Sequence, residues 1–399
     1  MRILSRSNNM AIPYGRQFIT NDDEQAVAAV LQSDWLTQGP KVAEFEEKFA
    51  ASVGAKYAVA VTSGTGALHL SALALGVNEK SKVITTPITF VASANCVRYC
   101  GGEVIFSDVD PATGILDLEA LVVKLKSVPK GTYQGLVIVD LAGYPTNLEK
   151  ARQIADKFGL WIIEDACHAL GGYFTDSQGA KQFCGNGRWA DLAVFSFHPV
   201  KHITTGEGGM ITTNNEALYK KLLMLRTHGI TKDPALLKEN HGGWYYEMQE
   251  LGFNYRLSDI LCALGISQLE RIDVNLKRRR EIANTYDQAF KDIPGLQILS
   301  GRNEDLAGKG IGHAYHLYII RTAKRKELYD YLRQNNILVQ VHYIPVHLQP
   351  YYRALGTKPG DLPRAEKYYE ECLSLPMYPT LKKEEQEFVV QKVREFFKY

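Results

Sequence analysis

Ser196-Phe-His-Pro-Val-Lys201-His-Ile-Thr-Thr-Gly206-Glu-Gly-Gly209 lies between two apolar runs, Leu192 to Phe197 and Met210 to Thr213. Short apolar runs bounded by turn residues read as buried strands. The turn between them holds one lysine, several hydroxyls and three glycines. A lysine at the mouth of two buried strands, beside groups able to bind phosphate, points to a carbonyl cofactor held as a Schiff base. Taken alone, Lys201 also reads as a surface lysine in a turn, although that reading leaves the buried strand leading into it unexplained.

Upstream, strand-like and helix-like stretches alternate. Thr20-Asn-Asp-Asp-Glu24 is a helix-start signal, with Ala26, Val27, Val30 and Leu31 following at helical spacing. Trp35 to Pro40 breaks that helix, and Val42 to Phe49 begins another. Strands are expected at Tyr57–Val61, Val83–Thr85, Glu103–Phe106, Leu136–Leu141 and Leu160–Glu164. Helices are expected between them, after Gly66, over Phe90–Tyr99, over Asp117–Leu125 and over Leu148–Phe158. Such alternation predicts an α/β unit with a mainly parallel sheet, whose ligands collect at the carboxyl ends of the strands. After Asn214 the pattern changes to helices at 216–226, 257–269 and 273–289, with a loop at 228–255. It then becomes α+β, with strands at 315–321 and 338–343 and helices at 324–334 and 384–397. A domain boundary is expected near 270 to 290, within a long connecting helix.

Composition narrows the class. A chain of 399 residues suits two packed domains. With 45% hydrophobic and 23% charged residues it has the balance of a globular enzyme. A net charge of +2 gives no strong field for nucleic acid or membrane. The basic run Lys277–Arg280 reads as a solvated helix face. Cysteines 96, 100, 167, 184, 262 and 372 show no paired spacing for zinc, so no metal is expected, and reduced thiols fit a cytoplasmic protein. The first dozen residues lack the apolar core of a signal peptide, and no apolar run approaches the ~18 residues of a membrane span.

Two further stretches carry chemistry. Thr62-Ser63-Gly64-Thr65-Gly66 sits at a strand-to-helix turn, where free amides and the helix dipole favour phosphate. Alone it is also an ordinary Gly/Ser turn. Ile162-Ile-Glu-Asp165-Ala-Cys-His168 places a carboxylate directly after a buried strand. Burying an unpaired charge is costly, and a protonated pyridine nitrogen would pair with it; a capping aspartate is the alternative. His168 either faces the same site or is a structural histidine. An imine-forming amine, a counter-ion for a pyridinium and an anion nest are together what pyridoxal 5′-phosphate requires.

The motifs resemble those of the DegT/StrS-type nucleotide-sugar aminotransferases. The matching landmarks are Leu36-Thr37-Gln-Gly39, Thr62–Thr65, Thr86-Pro-Ile-Thr-Phe90-Val-Ala-Ser-Ala-Asn95, Glu164–Ala169, Ser196–Lys201, Gly206–Gly209, Gly252-Phe-Asn254-Tyr-Arg256-Leu and Val341-His342-Tyr343-Ile-Pro345. The resemblance runs from about residue 15 to the C-terminus. It implies a fold-type I (aspartate aminotransferase-like) α/β architecture: a large cofactor domain over 15–270 with a mainly parallel seven-stranded sheet, a smaller α+β domain over 271–399, and an N-terminal arm over 1–14. It also implies residue roles. Lys201 would carry the Schiff base and shuttle the proton, and Asp165 would pair with the pyridinium. Ser63, Gly64, Thr65 and Ser196 would form the phosphate site. Phe90 would lie against the ring and His168 near its phenolic oxygen. Asn254 would reach the cofactor phosphate of a neighbouring subunit, making the active unit a homodimer. Thr37, His342 and Tyr343 would line the sugar-nucleotide pocket. Within the family, Ile84–Asn95, Ser196–His198, Ile203–Thr205 and Val339–Tyr343 most resemble the transaminases of pseudaminic acid biosynthesis. That implies L-glutamate as amino donor and a UDP-linked 4-keto-6-deoxy-N-acetyl hexose as acceptor.

The chain also departs from the family. Many relatives carry His-Leu-Tyr-Gly where this chain has Asp140-Leu-Ala-Gly143, which removes a ring. Phe174–Arg188 is long for a hairpin, and Asp233–Glu250 is extended. Other readings are a transaminase for another UDP- or dTDP-linked keto sugar (at C3 or C4), a family dehydratase, in which a histidine replaces the lysine present here, and a non-catalytic cofactor-binding protein.

Overall fold

Seven apolar runs pair into one sheet in the computed structural model, which describes residues 11–299, 308 and 310–398. The strands are β1 (Tyr57–Val61), β2 (Lys82–Thr85), β3 (Glu103–Phe106), β4 (Gly135–Val139), β5 (Trp161–Asp165), β6 (Leu192–Ser196) and β7 (Gly209–Thr213). Their spatial order is β1-β7-β6-β5-β4-β2-β3. All neighbours are parallel except β7, which runs antiparallel to both β1 and β6.

The helices are α1 (Asn21–Leu31), α2 (Pro40–Val53), α3 (Gly64–Ala74), α4 (Ala92–Tyr99), α5 (Leu118–Lys126), α6 (Leu148–Phe158), α7 (Glu216–Arg226) and α8 (Asp259–Leu269). Strand side chains alternate between faces, so each strand feeds two cores. Val59, Val61, Val137, Ile163, Val194 and Ile211 pack with Leu68 and Leu70 of α3, Val97 of α4 and Leu222 of α7. On the other face Ala58, Ala60 and Phe195 meet Phe45 and Phe49 of α2 and Ile266 of α8. There, too, Leu136, Ile138 and Ile162 meet Leu121 of α5 and Leu148 of α6. The period of two therefore sends Asp165 and Ser196 to the α3/α4 face and Glu164 to the opposite one.

Helix α1 is fastened to α8 by a buried charge. Asp23 is 1% exposed. Its carboxylate accepts from Ser267 Oγ (2.7 Å), Gln268 Nε2 (2.8 Å), and Arg271 Nη1 and Nη2 (3.0 and 2.7 Å).

Beyond α8, helix α9 (Ile272–Phe290) leads into a three-stranded antiparallel sheet of Gln297–Ile298, Tyr318–Arg321 and Cys372–Leu375. Tyr286 and Phe290 of α9, Leu328 and Leu332 of α10 (Arg325–Gln334) and Val389 and Val393 of the C-terminal helix Lys383–Phe397 cover it. Of the expected arm, residues 1–10 lie outside the described residues, whereas Ile12–Pro13 pair in parallel with Ile337–Leu338. The strand expected over 338–343 shrinks to Ile337–Leu338, because the chain then crosses to Ser374, which Gln340 bridges through both backbone groups. The strand expected from 315 starts at Tyr318. Tyr315 has φ +49° and its amide is taken by His313 Nδ1 at 2.8 Å. The helix Pro363–Glu371 was not expected, although a proline at a first helical position is a start signal. Among the described residues no helix is long and apolar enough to cross a membrane.

Candidate active site

A cavity of about 420 Å³ opens on the α3/α4 face, at the carboxyl ends of β4, β5 and β6 and beside the start of α3. Ser63, Gly64, Thr65, Phe90, Asp165, His168, Ser196, Lys201, His342 and Tyr343 all line it. Ten of the twelve residues expected at the site are thus brought together from five separate stretches. Thr37 and Asn254 are not. Both are exposed, Thr37 bridging Ser258 and Asn254 bridging Thr227.

The end of the cavity nearest α3 is built by the chain leaving β1. Ser63 caps α3 in extended geometry, its Oγ accepting from the Gly66 amide at 3.0 Å. The first amides of a helix have no intrahelical acceptor, so those of Gly64 and Thr65 are left for a ligand at the positive end of the helix dipole. The approach is close enough to require glycine. A Cβ on Gly64 would lie 2.9 Å from Ser196 Cβ, and one on Gly209 would lie 2.5 Å from the Ser63 carbonyl oxygen. Ser196 and the start of α3 therefore lie close together and border the same cavity.

The centre belongs to Asp165, 5% exposed at the end of β5. Ser93 Oγ donates to its Oδ2 at 2.6 Å, and the Cys167 amide donates to Oδ1 at 3.2 Å. Thr89 Oγ1 lies 2.7 Å from Ser93 Oγ. A carboxylate only accepts, so Ser93 spends its proton on Asp165 and Thr89 donates to Ser93.

His168 is held at both nitrogens. The Ala142 amide donates to Nδ1 at 3.3 Å, and Nε2 lies 3.2 Å from the Tyr343 hydroxyl. Because Nδ1 accepts, the neutral ring carries its proton on Nε2. Burial, followed by the nearby Lys201, His342 and His202, holds its pKa well below the ordinary histidine value. The His316 ring lies beside it, tilted by 34° with ring centroids 4.3 Å apart.

Lys201 sits in the link from β6 to β7. That link is closed on itself. The Phe197 amide donates to the Gly208 carbonyl at 2.9 Å, Thr204 Oγ1 to the Phe197 carbonyl at 2.9 Å and Thr205 Oγ1 to the Glu207 carbonyl at 2.7 Å. The threonine hydroxyls, which as residue types looked able to bind phosphate, are thus spent on shaping the turn. Burial pushes the Lys201 pKa below the ordinary lysine value, against the pull of Cys167 and Asp165. A larger share of its amine is therefore neutral and nucleophilic at a given pH. Phe90 is 57% exposed, an aromatic wall offered to the cavity, with the Tyr343 ring 6.3 Å away. His342 Nδ1 lies 2.8 Å from Ser374 Oγ, and burial and Lys201 push its pKa down to about 4.

Reading the sequence missed Thr89, Ser93, Cys167 and His316, all of which line the cavity. Thr89 and Ser93 stand within the Thr86–Asn95 landmark, but nothing local to it announces a partner on β5.

A profile of the DegT/DnrJ/EryC1/StrS aminotransferase family matches residues 17–394. The spore coat polysaccharide biosynthesis protein SpsC of Bacillus subtilis is 38% identical over 401 residues, covering 98% of this chain and 99% of that protein. The UDP-4-amino-4,6-dideoxy-N-acetyl-β-L-altrosamine transaminase of Campylobacter jejuni (serotype O:2) is 36% identical over 380 residues, 95% of each chain. Among solved structures, Helicobacter pylori PseC, an aminotransferase of pseudaminic acid biosynthesis, superposes with a TM-score of 0.85 at 32% identity, covering 97% of this chain and 99% of that one. With a match over nearly its whole length and a cavity that gathers the motif residues, the chain belongs to the DegT/DnrJ/EryC1/StrS aminotransferase family.

Proposed function

We propose that this is a pyridoxal 5′-phosphate-dependent, fold-type I aminotransferase that moves an amino group from L-glutamate to the C4 keto group of a UDP-linked 4-keto-6-deoxy-N-acetyl hexose. The product would serve biosynthesis of pseudaminic acid or a related surface amino sugar. The observation that carries the reading is the meeting, in one cavity, of a desolvated lysine, a buried carboxylate and the start of a helix. The altrosamine transaminase and PseC support the specific sugar. SpsC, equally similar, supports a second reading, in which the acceptor is a keto sugar destined for another surface polysaccharide.

The residues present fit the cofactor. The gap between Ser196 and the α3 amides suits a phosphate, the free side of Asp165 suits a pyridinium, and exposed Phe90 suits the face of a ring. When bound, pyridoxal 5′-phosphate supplies an aldehyde for amine exchange and a ring that takes up the electrons of a broken C–H bond. Ser63, Gly64, Thr65 and Ser196 would anchor the phosphate. Asp165, held in place by the Ser93 hydroxyl and the Cys167 amide, would pair with the ring nitrogen and keep it protonated. His168 would present its Nε2 proton to the phenolic oxygen. Lys201 Nζ would take the proton from the amino donor's α-carbon and return it to the cofactor's former aldehyde carbon, the same two moves running in reverse on the sugar.

Thr37, His342 and Tyr343 would contribute to the sugar-nucleotide pocket. The active unit would be a cytoplasmic homodimer, with Asn254 serving the partner's phosphate site; its exposure outside its own cavity supports this. Residues 15–270 would form the cofactor domain and 271–399 the smaller one.

The test is to add pyridoxal 5′-phosphate to the purified chain, follow the visible band of the bound cofactor, and ask whether L-glutamate bleaches it. Lys201→Arg should abolish the band and turnover while keeping the native circular dichroism. An active Lys201→Arg enzyme would refute the assignment. Product analysis with UDP- and dTDP-linked keto sugars separates the two acceptor readings.

A further inference from the structure

On the face of the sheet away from the cavity, two carboxyl groups meet. Ile138 pairs with Glu164 in the β4/β5 register, and Asp140 follows two residues after Ile138, on the same face. Asp140 is 0% exposed and Glu164 1%. One oxygen of each has a donor: the Thr146 amide reaches Asp140 Oδ1 at 2.8 Å, and the Gly185 amide reaches Glu164 Oε2 at 2.9 Å. The other two, Asp140 Oδ2 and Glu164 Oε1, are buried with no hydrogen-bond partner. The two carboxyls and the Cys184 thiol come within 4.8 Å of one another. Two adjacent buried carboxylates cannot both ionise. The Cys184 thiol, and for Asp140 the Thr146 hydroxyl, are the other side-chain donors facing the pair.

We propose that Asp140 and Glu164 share a single proton between their facing oxygens, and that this hydrogen bond fixes the Leu141–Gly143 turn that positions His168. The pair carries one negative charge and one proton, so each orphaned oxygen has its partner. Asp140 stands at the hinge of the turn. Its amide donates to the Asp165 carbonyl at 3.1 Å and its carbonyl accepts from Gly143 at 3.1 Å. The Ala142 amide, two residues on, is the group that fixes the His168 tautomer. Asp140 and Glu164 are thus positioning residues, acting on His168 through Ala142. Burial pushes Asp140 up to about 6, and burial followed by Asp140 pushes Glu164 well above the usual carboxyl range. Cys184 is the remaining titratable group facing them, itself driven well up by burial and by both carboxyls. A carboxyl whose folded pKa is raised holds more protons in the native than in the unfolded chain. Stability from the pair is therefore full below the ordinary carboxyl value of about 4 and is lost as pH rises through about 6 and beyond.

The link to His168 rests on the proposed aminotransferase reading; the shared proton does not. The test uses the holoenzyme. In Glu164→Gln, the Gly185 amide keeps the amide oxygen in place and turns the NH₂ toward Asp140, replacing the shared proton with a permanent donor. Expected are loss of one protonated-carboxyl band in the infrared spectrum and a flatter fall of Tm with rising pH. Glu164→Ala should lower the rate of the glutamate half-reaction about tenfold, as for a buried group left without its partner, and should lose the His168 Nε2–H signal in ¹⁵N-histidine spectra. Glu164→Gln should recover both. If Glu164→Ala fails to fold, Asp140→Asn tests the same bond. An unchanged infrared band and pH slope in Glu164→Gln would overturn the shared proton. So would a stoichiometric divalent metal present in the wild type and lost in that variant. The infrared and melting measurements need no turnover, so they stand even if the aminotransferase reading fails.

Discussion

Ser93→Ala removes the hydroxyl that donates to Asp165. The Ser93 bond is the shorter, 2.6 Å against 3.2 Å for the Cys167 amide. A hydrogen bond to a charged group contributes about 1.5–3 kcal/mol. At about 1.4 kcal/mol per decade, losing it should cost about ten- to a hundredfold in whatever depends on a correctly oriented Asp165. Thr89 loses its acceptor in the same step, which gives no compensation. The assay is stopped-flow reduction of the visible band by L-glutamate, together with equilibrium titration of apoenzyme with cofactor. Ser93→Ala should slow the half-reaction and weaken cofactor binding with little change in the KM for glutamate, because Asp165 would face the ring nitrogen rather than the donor's carboxylates. Ser93→Thr, which keeps the hydroxyl, should recover most of both. If Ser93→Ala stays within about twofold of wild type in both quantities, the reasoning that Asp165 depends on this relay is wrong.

Gly64→Ala should weaken cofactor binding more than it weakens the fold, because its Cβ would meet Ser196 Cβ at 2.9 Å in the gap proposed for phosphate; cofactor titration beside thermal melting tells the two apart. Arg271→Met should cost about 3 kcal/mol in urea unfolding, the low end for breaking a buried pair, since Arg271 is 19% exposed. That contact also has a pH signature. Burial alone would raise the Asp23 pKa, but hydrogen bonds from Arg271, Ser267 and Thr20 outweigh it and hold the value below the ordinary one. Its stabilising contribution is therefore full above about pH 4 and is lost as pH falls through the folded value. The acid limb of the stability profile should be shallower in Arg271→Met.

What could be read from the residues depended on how far apart the cooperating groups lie. Lys201, the Ser63–Thr65 turn and the strand ending at Asp165 were legible because each is a local pattern: an apolar run followed by a turn of special composition. All seven strands of the main sheet were legible for the same reason. The hydroxyl on Asp165 was not, since Ser93 lies 72 residues away along the chain and only the sheet order brings α4 over β5. The Asp140 departure was visible as a missing ring. Its meaning depended on Glu164, which the β4/β5 register sets beside it on the face away from the cavity. The segment from 338 to 375 was read least well. Its strand pairing is set by a distant partner at Ser374 rather than by any alternation of its own.

The reversed direction of β7 has a consequence for how such a site can diversify. Because β7 runs against its neighbours, the lysine is presented by a hairpin shaped largely by bonds between near neighbours in sequence, as from Phe197 to Gly208, with His202 tying it to the Ala314 carbonyl at 2.9 Å. The anion cradle, the carboxylate and the aromatic wall arrive by long crossovers from elsewhere in the chain. Loops after the other strands can therefore lengthen, shorten or drift in sequence without moving the reactive amine. Under the proposed function, the nucleophile would be carried by a largely local module, and acceptor preference would be left to the segments that surround it.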